Sequence, residues 1–151
     1  MSVLKSRRTE SKAEYIYTAN KIYAETIRFL SRLSARYSRL MSDSVAKLAS
    51  EVVDNCEKAN SIYPSSDMRK QLREKHLLEA RASLMALDLH LFHIYDILIT
   101  NPEGCFATAS GNLLKPSDAT AKLDKMSQRL GELIDTENAL LTGLLKNNTS
   151  K

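Results

Sequence analysis

The chain has 151 residues, 43% hydrophobic and 26% charged, with four glycines, three prolines and no tryptophan. That composition fits one domain with a sizeable core and few turns, which points to an all-α fold and away from repeat, fibrous and disordered classes. The formal net charge of +4 is unevenly placed: residues 1–41 hold nine basic and three acidic residues, a net +6, while the other 110 hold thirteen and fifteen, a net −2.

Residues 1–10 form a basic tail without periodicity that contains Arg7 and Arg8. It lacks the apolar stretch of a secretory signal, so the expected location is the cytoplasm. From about Ser11, Ile16, Ala19, Ile22, Ile27, Leu30, Tyr37 and Leu40 recur at helical spacing. They predict a first helix over 11–41, in one piece or in two parts. Ser42-Asp43 reads as the next punctuation, since either residue can cap a helix. Val45, Ala49, Val52, Cys56 and Ala59 then predict a second helix that ends at Ile62-Tyr63, ahead of Pro64.

A third helix is expected from Asp67 to about Ile99. Its first third is amphipathic. From Leu84 to Leu98 it is apolar on most sides, as expected of a central helix touched by several neighbours or by another subunit. Its longest uncharged stretch, Leu89 to Tyr95, reads as far too short to span a bilayer. Residues 101–115 break the helical pattern with Pro102, Gly104 and Gly111. They form either a small hairpin from Cys105–Thr108 and Leu113-Leu114 or a flexible excursion. Pro116-Ser117-Asp118 opens a fourth helix. In it Leu123, Met126, Leu130, Leu133, Leu140 and Leu144 follow a heptad with one skipped position, Glu137. This seam and the apolar third helix together suggest a homo-oligomer, with Glu137 as a register-setting polar residue. Residues 147–151 are a polar tail. The short turns favour an antiparallel up-down four-helix bundle over residues 11–146.

The charge-bearing chemistry concentrates in the first helix. Arg28, Arg32 and Arg36 fall four apart, so on one helix they make a stripe, with Arg39 close by. A planar guanidinium suits phosphate forks and base stacking. Tyr15, Tyr17, Tyr23 and Tyr37 are interleaved with these charges. A second cluster, Arg69, Lys70, Arg73 and Lys75, is diluted by Asp67, Glu74 and Glu79. The candidate nucleic-acid-binding set is therefore Arg28, Arg32, Arg36 and Arg39, aided by Arg7, Arg8, Arg69, Lys70 and Arg73. The competing reading is a basic face bonded to Glu25, Asp43 or Asp54, or docked on the acidic helices of a protein partner.

Other chemistry finds little support. His90 and His93 are three apart and His76 lies a few turns earlier, but the Glu-x-x-His pairs of bundle metal sites are missing. Asp88 and Asp96 share a helix face without further catalytic pattern. No nucleophile elbow or glycine-rich phosphate loop occurs. Cys56 and Cys105 have neither metal spacing nor a disulfide framework, and Cys56 reads as a core residue. The expectation is a non-enzymatic chain with no cofactor and no metal.

The stretch Arg36–Val53, followed by Ala59-Asn60-Ser61-Ile62-Tyr63-Pro64 and by Arg73-x-x-His76-Leu77-Leu78-Glu79-Ala80-x-x-x-Leu84-x-x-Leu87, resembles the four-helix-bundle family of 23S rRNA intervening-sequence proteins. Within it the likeness is nearest to the accessory variability determinant (Avd) proteins of diversity-generating retroelements. The resemblance covers about residues 22–146. It implies a basic, non-enzymatic protein that forms a pentameric, ring-like barrel. It also implies binding to RNA or DNA and to the retroelement's reverse transcriptase during mutagenic copying. The basic tail before Ser11 and the 101–115 insertion exceed the compact family pattern. No short family motif transfers to named residues, so the site assignment rests on the charge argument.

Overall fold

The computed structural model describes residues 13–149. It is all-helical, with α1 over Glu14–Ser31, α2 over Ala35–Asn60, α3 over Asp67–Thr100 and α4 over Pro116–Thr149. The helices pack in a closed cycle. α1 lies against α2 and α4, and α3 lies against the same two. The α2–α3 pairing is the most extensive. Both helices bury small residues, Ala49, Cys56 and Ala59 on α2 and Ala80 on α3.

The first helical boundary differs from the sequence expectation. The helix predicted over 11–41 breaks at Arg32–Ser34, and Ser42-Asp43, the expected boundary, lies well inside α2. The reason is long-range. Leu33 pairs with Phe106 as an isolated antiparallel bridge. Ala107 N–H donates to the Arg32 carbonyl at 2.7 Å, and Ser34 N–H donates to the Cys105 carbonyl at 2.9 Å. These bonds draw three residues out of the helix whose side-chain period they continue. Ser34 is the N-cap of α2 with extended φ and ψ of −61° and 157°, and its side chain makes no capping bond. Downstream, Tyr37 and Met41 pack on the same core as Val45 and Ala49, which carries the helix through Ser42-Asp43.

The other boundaries lie within a few residues of expectation. Ser66 caps α3 by accepting from Arg69 N–H at 3.3 Å, and Asp67 in the first turn complements the helix dipole. Residues 101–115 adopt the hairpin alternative, without a named strand. Ala107 bridges Leu113, and Thr108 N–H donates to the Asn112 carbonyl at 2.8 Å. Gly104 and Gly111 take φ of 63° and 94°, which L side chains rarely adopt. Phe106 is fully buried and meets Phe29 with ring centroids 5.7 Å apart, so the hairpin is anchored to the end of α1.

α3 and α4 share their apolar residues differently from expectation. α4 buries Leu123, Leu130, Ile134, Glu137 and Leu141 inside its own chain. Of the expected seam, Leu123, Leu130 and Glu137 are buried in this protein's own core, while Met126, Leu133, Leu140 and Leu144 are half-buried against it. α3 buries Leu77, Leu84, Leu87, Leu91, Ile94 and Leu98. It leaves Leu78, Met85, Leu89 and Phe92 exposed by 49%, 39%, 53% and 58%. By length and composition α3 could cross a membrane: its mean hydropathy reaches 1.4 over 18 residues, of which 28% are buried inside the molecule. The uncharged run Leu89–Tyr95 understated this apolar length.

Candidate nucleic-acid interface

The break at 32–34 changes the geometry of the arginine stripe. Arg28 stands in the last turn of α1, Arg32 caps that helix, and Arg36 and Arg39 open α2. The four share one joint but not one helix. Its backbone is held by the Cys105–Ala107 edge, so the joint is a built feature rather than a free face of a rod.

Each arginine has a distinct setting. Arg28 Nη1 lies 2.6 Å from Glu25 Oε1, with the Arg28 side chain 63% exposed. Arg129 of α4 reaches the same Glu25 oxygen through Nε at 3.3 Å. Two guanidinium groups thus share one carboxylate, and the cluster keeps a positive surplus. Arg36 donates through Nη2 to the Glu103 carbonyl at 3.2 Å and stacks over the Tyr37 ring at 4.7 Å. It also borders a shallow cleft of about 550 Å³ formed with Thr100, Asn101, Glu103 and Pro116. Arg39 is exposed one turn along α2, and Arg32 is half-buried. Below this surface lies Cys105. Burial pushes its thiol pKa up, while the nearby Arg36 pulls it the other way.

The second basic cluster sits elsewhere. Arg69, Lys70 and Arg73 open α3, which follows the far end of α2. Along a helix of 26 residues, that end is about 39 Å from the arginine joint. Arg73 hydrogen-bonds to Tyr15 at the start of α1, where burial is the main influence on the phenol and raises its pKa. Arg69 Nη1 donates to Ser65 Oγ at 3.4 Å. The expected set therefore divides between two ends of the molecule. Arg7 and Arg8 lie outside the described residues. Arg129, absent from the expected set, joins the arginine joint through tertiary packing that local sequence does not signal.

The tyrosines divide in the same way. Tyr15 is buried, with its hydroxyl 3.4 Å from Asn60 Oδ1. Tyr17 and Tyr23 are 41% and 39% exposed, and Lys21 lies 4.5 Å from the Tyr17 ring.

The remaining candidate groups do not converge on the arginines. His90 and His93 sit edge to face at 6.0 Å on the exposed side of α3. His76 lies 3.7 Å from Glu79. No group of three or more His, Cys, Asp or Glu side chains able to hold a metal occurs among the described residues. A cleft of about 570 Å³ between α3 and α4 is lined by Asp88, Tyr95, Asp124, Ser127, Gln128 and apolar residues. Tyr95 donates to Asp124 at 2.5 Å, and burial followed by the nearby Asp135 raises the Asp88 pKa. That cleft is acidic and would repel phosphate.

The sequence reading misplaced one further polar group. Glu137 is fully buried, and neither carboxylate oxygen has a hydrogen-bond partner among the described residues. Burial, then Glu14, raises its pKa to about 8. Burial also pushes the fully buried Cys56 thiol well above its ordinary range, with Glu137 adding to the effect.

Comparison with known proteins returns no match: no family model, no curated protein and no solved structure matches this chain.

Proposed function

We propose that this protein is a non-enzymatic accessory factor that binds nucleic acid through the arginine joint between α1 and α2. The observation that carries the reading is the gathering of Arg28, Arg32, Arg36 and Arg39 at one braced corner, with Arg129 added from α4. Guanidinium groups fixed on a rigid frame lose little freedom on meeting phosphates, and the exposed ones can neutralise several charges at once. The resemblance noted in the sequence supplies the rest of the proposal: an antiparallel up-down bundle, assembly with copies of itself, a cytoplasmic site of action, and a reverse transcriptase as protein partner. The split between the two basic clusters narrows the contact surface to the joint. Arg69, Lys70 and Arg73 become secondary contacts, engaged only by a long nucleic acid or by a second molecule.

The test is a mobility shift with RNA and DNA across a salt series. Steep weakening with salt is expected, since each phosphate neutralised contributes about −0.9 to the logarithmic slope on duplex DNA. Replacing Arg28, Arg32 and Arg36 with Glu should abolish the shift while circular dichroism stays helical. Unchanged binding by that variant would remove the joint as the site. A chain that ignores nucleic acid but is captured by an acidic protein through the same arginines would instead support a helical scaffold module.

A further inference from the structure

α3 carries two apolar stripes, and among the described residues only one is covered. The outer stripe steps by alternating threes and fours from Met68 to Ile99, which is heptad spacing over nearly the whole helix. Its middle is Leu78, Ala82, Met85, Leu89 and Phe92, all exposed. The two charged positions in the stripe are Lys75 near its start and Asp96 near its end, both exposed.

We infer that this stripe is the contact surface for a second copy of the same chain, paired antiparallel about a two-fold axis at the centre of α3. The inference does not depend on nucleic-acid binding. Three features of the stripe identify its occupant. First, a parallel pair would set Lys75 against Lys75 and Asp96 against Asp96. An antiparallel pair brings the Lys75 end of each copy to the Asp96 end of the other. Second, with the axis midway between Ser83 and Leu84, Leu78 meets Leu89 of the second copy and Ala82 meets Met85. Large residues then lie against large ones at two layers, and a small residue receives a flexible one at the centre. Third, α3 spans Asp67–Thr100, so that axis is also the midpoint of the helix and the two copies overlap along their full length. The shared length is roughly 51 Å for 34 residues at 1.5 Å per residue.

The flanking charges select the register. On the side of the stripe toward α4, Arg81 faces Asp88 of the second copy, and by symmetry Asp88 faces Arg81. Arg81 is held at that edge by its Nε bond to Asn138 Oδ1 at 3.2 Å. Slipping the pair by one heptad in one direction sets Asp88 against Asp88. Slipping it the other way sets Arg81 against Arg81. Both alternatives juxtapose like charges, so one register is favoured over its neighbours. The result is an isologous contact, which closes at two copies and does not by itself build a ring.

Light scattering on the full chain should give twice the 17.0 kDa of one copy at about 10 µM protein. Arg81→Asp or Asp88→Arg alone should weaken the dimer at least about tenfold, and the two together should restore it. Orientation is read by disulfide formation. Leu78→Cys protein mixed with Leu89→Cys protein should cross-link, and neither should cross-link alone. Both positions are exposed, so helicity by circular dichroism should be unchanged. A monomer, a five-copy mass, or cross-linking by either cysteine variant on its own would overturn the proposal. So would a monomer that pellets with neutral phosphatidylcholine vesicles, which would assign the stripe to a lipid surface.

Discussion

α3 and α4 are each 34 residues long, and each repeats apolar residues at heptad spacing. α4 packs its heptad in or against its own core, even to the point of burying Glu137 with no hydrogen-bond partner among the described residues. α3 fills the same core with its inner stripe and leaves a second one outside. The difference follows from composition around the helix. Outside its core stripe α4 carries residues such as Asp124, Lys125, Gln128 and Arg129, whereas α3 from Leu78 to Ile97 carries leucine, methionine, phenylalanine and isoleucine on both sides. A heptad therefore shows that a helix has a surface to bury, and only the opposite face shows whether the chain buries it alone.

The largest test of this contrast is truncation on the two stripes. Leu84→Ala on the inner stripe of α3, or Leu141→Ala on α4, removes a fully buried side chain and should cost about 2–5 kcal/mol in denaturant unfolding. Leu89→Ala, at 53% exposure, should change the stability of the isolated chain by less than about 0.5 kcal/mol. A large loss at Leu89 in dilute, monomeric protein would erase the distinction between inner and outer stripes.

The next effect belongs to α4. The Glu137 carboxyl holds its proton up to about pH 8 in the folded chain, against an ordinary value of 4.5. Between those pH values the folded state binds more protons than the unfolded state, so stability falls as pH rises. The contribution is present below the ordinary value and is lost as pH climbs to that of the folded group. Glu14 and Cys56 are the titrating groups closest to it in effect. Glu137→Leu removes an unsatisfied carboxyl from the core. It should raise stability by about 2–4 kcal/mol at pH 8 and by much less at pH 5. Thermal unfolding of both proteins across that range checks the slope, and parallel curves would mean that Glu137 finds a partner in solution.

The two long helices also show how far sequence reading reaches. Their existence and approximate limits follow from periodicity and from Pro64, Ser66 and Pro116, all of which act within a few residues. The Arg32–Ser34 break does not, because the bonds that make it come from Cys105 and Ala107, some seventy residues away. The same long-range contact moved the arginine stripe from one helix to a joint. Arg129 reached Glu25 only through the packing of α4 on α1. The apolar surround of α3 was legible in its leucines. Its division into a covered and an uncovered stripe required knowing where α2 and α4 lie. Glu137 stood out as the odd member of a heptad, but its burial against the start of α1 is a tertiary fact.

The smallest effects lie at the helix starts, where α3 and α4 again differ. α3 opens with a side-chain cap, Ser66 Oγ accepting from Arg69 N–H at 3.3 Å. Ser66→Ala leaves that N–H to water and should cost about 1 kcal/mol. α4 opens with Pro116 as its first residue, which has no N–H to satisfy and already holds a helical φ. Pro116→Ala should cost about 0.5–1 kcal/mol, mainly by giving the unfolded chain more freedom. Amide hydrogen exchange separates the two causes. Loss of the Ser66 cap should raise exchange in the first turn of α3 beyond the rise shared by the slowest amides, because that turn loses a local bond. Loss of Pro116 should raise exchange across the slowest amides of the whole chain, because its effect enters through the unfolded state. Local fraying at α4 in the Pro116→Ala protein would instead show that the proline ring holds the start of that helix directly.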